Sequence, residues 1–275
     1  MRVIAIVGPS GSGKTTLVER LAGRLDERGS VGTINHLDCA PDIDIERTDA
    51  ARHRAAGVDR TVGVGEETWF ETGEELTLDG ALDRLAVSCD YAIVEGYSGA
   101  ALPQIALGGS GGENVRLSAP DADAVDLDEA VAAVENTDAY ECLGSLVAEV
   151  KQSPRENRAG AIATFTGRVR AKERPDDDPT EYLEFERYDG VAQERMAQLR
   201  EELEAREGVH EVRLHHRTGV IEAGEDIVFV VVLAGHRGEA FRTVEDGINR
   251  LKDEVPLFKK EVTVSETFWA HQHEV

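Results

Sequence analysis

Cysteine is scarce in this sequence, and long apolar runs are absent. Its three cysteines, Cys39, Cys89 and Cys142, lie far apart and form no CxxC pair. This spacing argues against a disulfide framework and a cysteine-based zinc site, and it favours a reducing cytoplasm. No run of about 18 apolar residues occurs, and the chain enters a predicted strand directly, so we expect neither a membrane span nor a signal peptide.

Positive charge is also in deficit. The 275 residues include 30 Lys and Arg against 54 Asp and Glu, which gives a net charge of -24 at pH 7. Such an excess repels nucleic acid and anionic membranes, so neither is an expected partner. Abundant acids with few lysines resemble the composition of proteins from salt-loving archaea, whose molar salt shortens the screening length to roughly 3 Å. The composition therefore predicts a halophilic protein.

The scarcity of lysine makes the remaining lysines informative. Lys14 lies in a glycine-rich turn, and Lys252, Lys259 and Lys260 fall within one short segment near the C-terminus. Where lysine has been replaced almost everywhere else, such a concentration indicates chemical need. The pattern predicts one site in each half of the chain.

The first half is typical of an α/β domain with a mostly parallel sheet. Apolar strands alternate with helices, and parallel strands are joined in this way. Strands are predicted at 2–7, 31–35 and 91–94, a turn-rich stretch at 108–123, and helices from the glycine-rich turn to about Gly29, at 79–88 (begun by Asp79) and at 126–135. We place the domain boundary near Thr137, which gives domains at 1–137 and 138–275.

The second half predicts an α+β domain. Its most apolar strand, 225–234, is apolar on both faces and is expected to be central in a sheet. The other predicted strands lie at 159–169, 181–187, 210–216 and about 260–268, and the predicted helices at 140–152, 190–207 and 237–254.

A P-loop follows the first strand. The segment GPSGSGKT, residues 8–15, satisfies GxxxxGK[ST] and opens a helix, as that motif requires. Backbone N–H groups of such a loop surround phosphates, and the lysine reaches the β- and γ-phosphates. An accidental glycine-rich turn is the alternative. The candidate nucleotide-binding residues are Gly8, Ser10, Gly11, Ser12, Gly13, Lys14, Thr15 and Thr16.

A magnesium site is expected beside this loop. Thr15 is placed to bind Mg²⁺, and Glu95, after the strand 91–94, is placed like the acid that helps to hold the metal. An acid at a strand end is also common on any protein surface. His36, Asp38 and the segment from Asp49 to His53 are expected at the same edge of the sheet, where ligands gather in open α/β folds.

Residues 1–137 resemble the MobB family, the GTP-binding accessory protein of molybdopterin guanine dinucleotide biosynthesis. The resemblance is carried by GPSGSGKTTL, the Asn35-His36 pair, TDAARHRAAG (48–57), VEGY (94–97) and PQIAL (103–107). It implies GTP as the ligand, weak hydrolysis at best, a dimer, and no prosthetic group. The family usually shows Lys-His where this chain has Asn35-His36.

Six basic residues at the ends of predicted elements form a candidate anion site in the second half. Two arginines flank Val169 at a strand end and, by alternation, are expected to share a face. A His-Arg pair starts a helix, and two lysines follow near its end. Surface ion pairs and compensation of the helix dipole are the alternative, and they account for Lys260. The six residues are Arg168, Arg170, His236, Arg237, Lys252 and Lys259.

Residues 138–275 resemble MoaE, the large catalytic subunit of molybdopterin synthase. The motifs are FTGRVR (165–170), LEFERY (183–188), HRTGVIEAGEDIVFVVV (216–232), GHRGEAF (235–241) and LKDEVPLFKKE (251–261). By position the resemblance makes Lys252 and Lys259 catalytic, while Arg170, His236 and Arg237 bind the substrate. Phe258 stands where the family often has Trp.

The resemblance also implies the reaction and the partners. Cyclic pyranopterin monophosphate receives two sulfurs from the Gly-Gly thiocarboxylate of a small ubiquitin-like, MoaD-like carrier, and the assembly is a homodimer or heterotetramer. An external donor agrees with the absence of cysteine beyond Cys142. Two alternatives remain: a non-catalytic adaptor that docks a carrier or a molybdoenzyme, and a P-loop small-molecule kinase with an added substrate domain.

Overall fold

The computed structural model describes residues 1–37, 49–187, 190–264 and 267–270. The chain divides into two compact units, Met1–Tyr140 and Glu141–Val275, where the sequence placed a boundary near Thr137. Asp38, Cys39 and Tyr188 lie outside the described residues. Within the described ranges, no helix is both long and apolar enough to cross a bilayer.

The first unit is built on a five-stranded sheet in the order β2-β5-β1-β6-β7, in which every neighbouring pair is parallel. A separate antiparallel hairpin joins β3 to β4. The elements are β1 (Arg2–Val7), α1 (Lys14–Asp26), β2 (Val31–Asn35), α2 (Asp49–Ala55), β3 (Arg60–Val64), β4 (Trp69–Gly73), α3 (Leu78–Ala86), β5 (Tyr91–Glu95), β6 (Gln104–Leu107), β7 (Val115–Ala119) and α4 (Leu127–Glu135).

Both faces of the central strands are buried, which explains their continuous apolar sequences. On one face Ile4, Ile6 and Ile93 pack with residues of α1 and α4. On the other face Val3, Ala5 and Val94 pack with Leu82 of α3. A parallel sheet covered on both sides requires such strands, and the predicted α/β architecture is confirmed.

Three features of the first unit differ from the prediction. Strand β7 lies within the stretch predicted as turns. The prediction missed it because an edge strand with alternating half-buried and exposed residues has a weak apolar signal. The hairpin β3–β4 was not predicted. Helix α3 is capped by Thr77, whose hydroxyl accepts from the N–H of Gly80 at 3.1 Å, and Asp79 lies inside its first turn.

The second unit contains two antiparallel sheets, β10-β12-β8 and β11-β9-β13-β14. This is the predicted α+β class. The elements are α5 (Leu143–Lys151), a 3-10 turn (Glu156–Arg158), β8 (Ala161–Arg168), β9 (Thr180–Arg187), α6 (Val191–Glu204), β10 (Val209–His216), β11 (Gly219–Glu222), β12 (Asp226–Ala234), α7 (Arg237–Glu254), β13 (Leu257–Thr263) and β14 (Thr267–Ala270).

Strand β12 is the centre of the second unit, as its sequence predicts. Val230 and Val232 belong to a core shared with α6 and α7. Phe229 and Val231 point to the opposite face, where they pack with Leu146 of α5 and its neighbours. The predicted final strand at 260–268 is instead two strands, β13 and β14, and the short strand β11 was missed.

An ion-pair network fixes the last turn of α7 against α6. Arg250 Nε donates to Glu254 Oε1 at 2.7 Å, and Arg195 of α6 also pairs with Glu254. The hydrogen bond from Arg250 has the largest effect on the Glu254 carboxyl, and the bond from Arg195 adds to it. Together they outweigh the effect of partial burial and lower the pKa of Glu254 to about 2. This network holds in place the helical turn that carries Lys252.

Candidate nucleotide and anion sites

The lysine of the P-loop contacts the backbone of its own loop. Lys14 begins α1, and its ammonium donates to the carbonyl oxygens of Gly8 and Pro9 at 2.9 and 3.1 Å. The Ser12 hydroxyl donates to the same Pro9 carbonyl at 2.9 Å. The loop therefore curves around the Lys14 ammonium at the N-terminus of a 13-residue helix. A helix N-terminus also stabilises bound anions.

Two glycines of the loop have no room for a side chain. A Cβ on Gly8 would lie 2.7 Å from Ser12 Oγ and 3.0 Å from Leu107 O. A Cβ on Gly13 would lie 2.7 Å from that of Ala122, and Gly13 has a φ of 86°, which side chains rarely adopt. Packing of the loop thus disfavours a side chain at both positions, and at Gly13 the backbone conformation disfavours one as well.

The two residues predicted to hold magnesium are in contact. Thr15 Oγ1 donates to Glu95 Oε1 at 2.8 Å, across the gap between α1 and the end of β5. Among the described residues no group of three or more His, Cys, Asp or Glu could hold a metal ion. Mg²⁺ binds few protein groups together with waters and phosphate oxygens, so one hydroxyl and one carboxylate beside a P-loop fit this ion.

Directly after Glu95 the chain turns sharply. Gly96 and Tyr97 have φ values of 92° and 53°, and a left-handed backbone is uncommon for a residue such as tyrosine. The Tyr97 ring meets the His36 ring edge-on, with centroids 4.8 Å apart. Tyr97 thus lies next to the candidate site and was not predicted there, although it is the last residue of VEGY.

The segment from Asp49 to His53 forms part of α2. Asp49 and Arg52 pair with each other at 3.5 Å, and both side chains are largely exposed. Helix α2 packs against β3 of the hairpin. This contact pattern is that of a surface helix.

Arg168 and Arg170 are not related by strand alternation, contrary to the prediction, because β8 ends at Arg168. Arg168 donates to the carbonyl of Gly224, and its Nε lies 3.1 Å from Asp226 Oδ1. Arg170 lies beyond the strand, is exposed, and pairs with Glu173 at 3.4 Å. Arg168 is therefore engaged by the residues beside its own strand, whereas Arg170 stands free of the sheet.

Lys259 lies in a polar cluster centred on Glu261. Its ammonium is 3.0 Å from Glu261 Oε2, and Thr180 Oγ1 donates to Glu261 Oε1 at 2.6 Å. Burial opposes ionisation, but the bonds from Thr180 and Lys259 and the charge of Arg170 hold the pKa of the Glu261 carboxyl below its ordinary value. The structure thus pairs Lys259 with Glu261, while Arg170 acts on this carboxylate only through its charge.

Glu261 was missed as a site residue, although it ends the motif LKDEVPLFKKE. Its neighbour Lys260 points to the other face of β13 and donates to Glu184 at 2.8 Å, which raises the pKa of Lys260. The ion-pair explanation for Lys260 agrees with this contact.

The side chains of His236, Arg237 and Lys252 are exposed, and in the described part of the chain these side chains make no hydrogen bond or ion pair. His236 is the N-cap residue of α7, and Lys252 lies in its last turn. Arg237 and Lys252 are fifteen positions apart on this helix, so their Cα atoms are separated by about 22 Å along its axis. One small anion cannot contact both ends within a single chain, which corrects the expectation that all six cations surround one ligand.

These features define a two-unit protein: an α/β P-loop unit with a candidate nucleotide and cation site, followed by an α+β unit with two groups of basic side chains. Residues 3–134 match the family model "Molybdopterin guanine dinucleotide synthesis protein B" (MobB), and residues 130–254 match that of the MoaE protein.

Relatives match both the whole chain and the second unit. A "Probable molybdopterin synthase" of Haloferax volcanii is 51% identical over 272 residues, which cover 98% of this chain and 99% of that protein. A "Molybdopterin synthase catalytic subunit" of Staphylococcus aureus is 35% identical over 114 residues, 41% of this chain and 76% of that subunit. The crystal structure of molybdopterin synthase from S. aureus aligns with a TM-score of 0.39 and 33% identity, over 42% of this chain and 82% of that one. The chain belongs to the family of the H. volcanii protein. In this chain the MobB match precedes the MoaE match.

Proposed function

We propose that this protein is a molybdopterin synthase joined to a GTP-binding unit. The second unit transfers two sulfurs from a thiocarboxylated small carrier to cyclic pyranopterin monophosphate, and the first unit binds GTP with Mg²⁺. The observation that carries the synthase assignment is the arrangement of cations at the end of α7. The Lys252 side chain is exposed without a partner in the described residues, Lys259 pairs with Glu261, and the charge of Arg170 also favours the ionised Glu261 carboxylate.

The chemistry of the cation groups suits this transfer. The thiocarboxylate of the carrier and the phosphate of the substrate are both anions, which ammonium and guanidinium groups bind through charge-assisted hydrogen bonds. A lysine ammonium can also pass a proton to a reacting group. Lys252 and Lys259 are the proposed catalytic residues, and Arg168, Arg170, His236 and Arg237 the proposed substrate-binding residues, with Arg168 the most engaged elsewhere.

The sulfur must come from outside the second unit. Cys142 is the last cysteine of the chain and is buried as the N-cap residue of α5, where its sulfur accepts from the N–H of Ser145. A buried capping thiol is unsuited to carrying sulfur to a substrate. Each incoming sulfur replaces an oxygen on the pterin precursor, while the C–S bond of the carrier thiocarboxylate breaks and hydrolysis by water leaves the carrier as a carboxylate. Two sulfurs therefore require two loaded carriers in succession. Bound Mg²⁺ would act only at the P-loop, where it neutralises phosphate charge.

We further propose that a homodimer assembles the substrate site. His236 and Arg237 lie at the opposite end of α7 from Lys252, about 22 Å away. In a two-fold dimer the N-terminus of one α7 can stand beside the C-terminus of the other, because a two-fold axis pairs different parts of two identical chains. A substrate between them would contact Lys252 and Lys259 of one chain and His236 and Arg237 of the other.

Mixed dimers test this arrangement. Lys252→Ala and Arg237→Ala chains are each expected to lack activity. A 1:1 mixture allowed to exchange subunits is expected to regain about a quarter of wild-type sulfur transfer, because half of the dimers are mixed and each mixed dimer keeps one intact site.

The control is a mixture of Lys252→Ala with Lys259→Ala, whose defects lie at the same end of α7 and which should stay inactive. If the Lys252→Ala and Arg237→Ala mixture is no more active than its components, each site is built within one chain and the shared-site proposal is wrong.

Two other functions predict different products from the synthase. A non-catalytic adaptor would bind carrier and substrate without forming product. A P-loop kinase would transfer phosphate from GTP to an acceptor. The decisive experiment is therefore product formation from cyclic pyranopterin monophosphate and thiocarboxylated carrier, followed as the fluorescent oxidation product of the dithiolene pterin.

A further inference from the structure

Asn35 lies at the edge of the sheet where Thr15 and Glu95 meet. It is the last residue of β2, and its Cα partner in the neighbouring strand β5 is Glu95. Residues paired in this way on adjacent strands project to the same face of a sheet. The position of Asn35 is therefore fixed by the same register that places Glu95.

The core shows which face this is. In β5, Tyr91 and Ile93 pack into the cluster that contains Leu17 and Leu21 of α1, and Val31 of β2 packs into the same cluster. Residues two positions apart in a strand share a face, so Asn35 and Glu95 continue these two rows toward α1. That is the side on which the Thr15 hydroxyl reaches Glu95 Oε1 at 2.8 Å.

Asn35 is exposed, and it makes no side-chain hydrogen bond within the described ranges of the chain. Its strand end is nevertheless well anchored, because the next backbone N–H, that of His36, donates to the Glu95 carbonyl at 3.0 Å. An amide that has no partner among the described residues, held on a fixed strand beside a carboxylate and a hydroxyl, is suited to receive a ligand.

We propose that Asn35 is the third side chain of the P-loop cation site, where its amide oxygen accepts a hydrogen bond from a water bound to Mg²⁺. Adjacent strands are about 4.8 Å apart, so a metal at Thr15 and Glu95 is within one water of Asn35. Mg²⁺ usually keeps several of its waters, and a neutral amide orients such a water without adding charge. This inference rests on the proposed binding of GTP with Mg²⁺.

The test measures metal affinity directly. Free Mn²⁺ is followed by its electron paramagnetic resonance signal as it is titrated into the full chain bound to a non-hydrolysable GTP analogue, in molar potassium chloride. Asn35→Ala is expected to weaken Mn²⁺ binding about tenfold, as loss of an outer-shell ligand does. Asn35→Asp keeps the acceptor oxygen and is expected to restore or exceed wild-type Mn²⁺ affinity.

Two controls separate this role from a structural one. Asn136→Ala makes the same change at an exposed asparagine that follows α4, and it should leave Mn²⁺ affinity unchanged. Nucleotide affinity in EDTA should be the same for wild type, Asn35→Ala and Asn35→Asp, because the proposed contact acts only through the metal.

The outcomes are distinguishable. Wild-type Mn²⁺ affinity in Asn35→Ala overturns the inference and leaves GTP binding standing. Loss of nucleotide affinity in EDTA by both Asn35 variants also overturns it, because the amide would then bind phosphate through its nitrogen. If the wild-type chain binds no guanine nucleotide, the GTP proposal and this inference fall together.

Discussion

Replacing Lys252 with alanine is expected to reduce sulfur transfer by about a thousandfold, the range in which loss of a proton-transferring group falls. The fold should be unaffected, because Lys252 is exposed and has no partner within the described residues. The turn that carries it is held by Arg250, Glu254 and Arg195. The measurement is single-turnover product formation, with thermal unfolding of the same preparation as the check on folding.

Lys151 provides a matched control for this prediction. It is also an exposed lysine in the last turn of a helix, α5, so it compensates the helix dipole as Lys252 does. Lys151→Ala should retain wild-type sulfur transfer. Equal activities of the two variants would mean that Lys252 serves only its helix, and the assignment of Lys252 as catalytic would be wrong.

Lys14→Ala is expected to weaken GTP binding by about a hundredfold, because a charge-assisted contact to phosphate is lost and no other residue of the loop carries a positive charge. In the structure this ammonium donates to the carbonyls of Gly8 and Pro9. Its removal also leaves these acceptors without their donor. Equilibrium binding of a fluorescent GTP analogue measures the loss, and sulfur transfer by the same variant should stay at the wild-type level.

Lys172 is the comparison for Lys14. Its ammonium also donates to a backbone carbonyl of its own loop, that of Pro175 at 3.3 Å, but it lies in the second unit. Lys172→Ala should bind GTP as wild type does. A parallel loss of GTP binding and sulfur transfer in Lys14→Ala would contradict independent units and show that nucleotide occupancy controls the synthase.

The sequence predicted best those features that local chemistry decides. The P-loop context placed Lys14 at the start of α1, and the two-sided apolar pattern of 225–234 placed β12 at the centre of its sheet. Helix α7 begins at Arg237 and ends at Glu254, as predicted, since Pro256 and the N-terminal His-Arg pair mark its limits.

Features that depend on contacts between distant segments of the chain could not be predicted from the sequence. Strand β7 has a polar edge sequence, and its pairing with β6 is visible only in the folded sheet. The separation of Arg237 from Lys252 follows from the unbroken length of α7, and the engagement of Arg168 by Asp226 follows from the end of β8. The role of Glu261 likewise depends on Thr180, which lies on another strand.

Single-turnover conversion of cyclic pyranopterin monophosphate by the purified wild-type chain tests the synthase assignment most directly. Substrate and thiocarboxylated carrier are mixed with the protein in molar potassium chloride, and the dithiolene pterin is detected after oxidation. We predict that product forms, with two carriers consumed for each substrate converted. Absence of product when carrier and substrate are both shown to bind would contradict the assignment and indicate an adaptor.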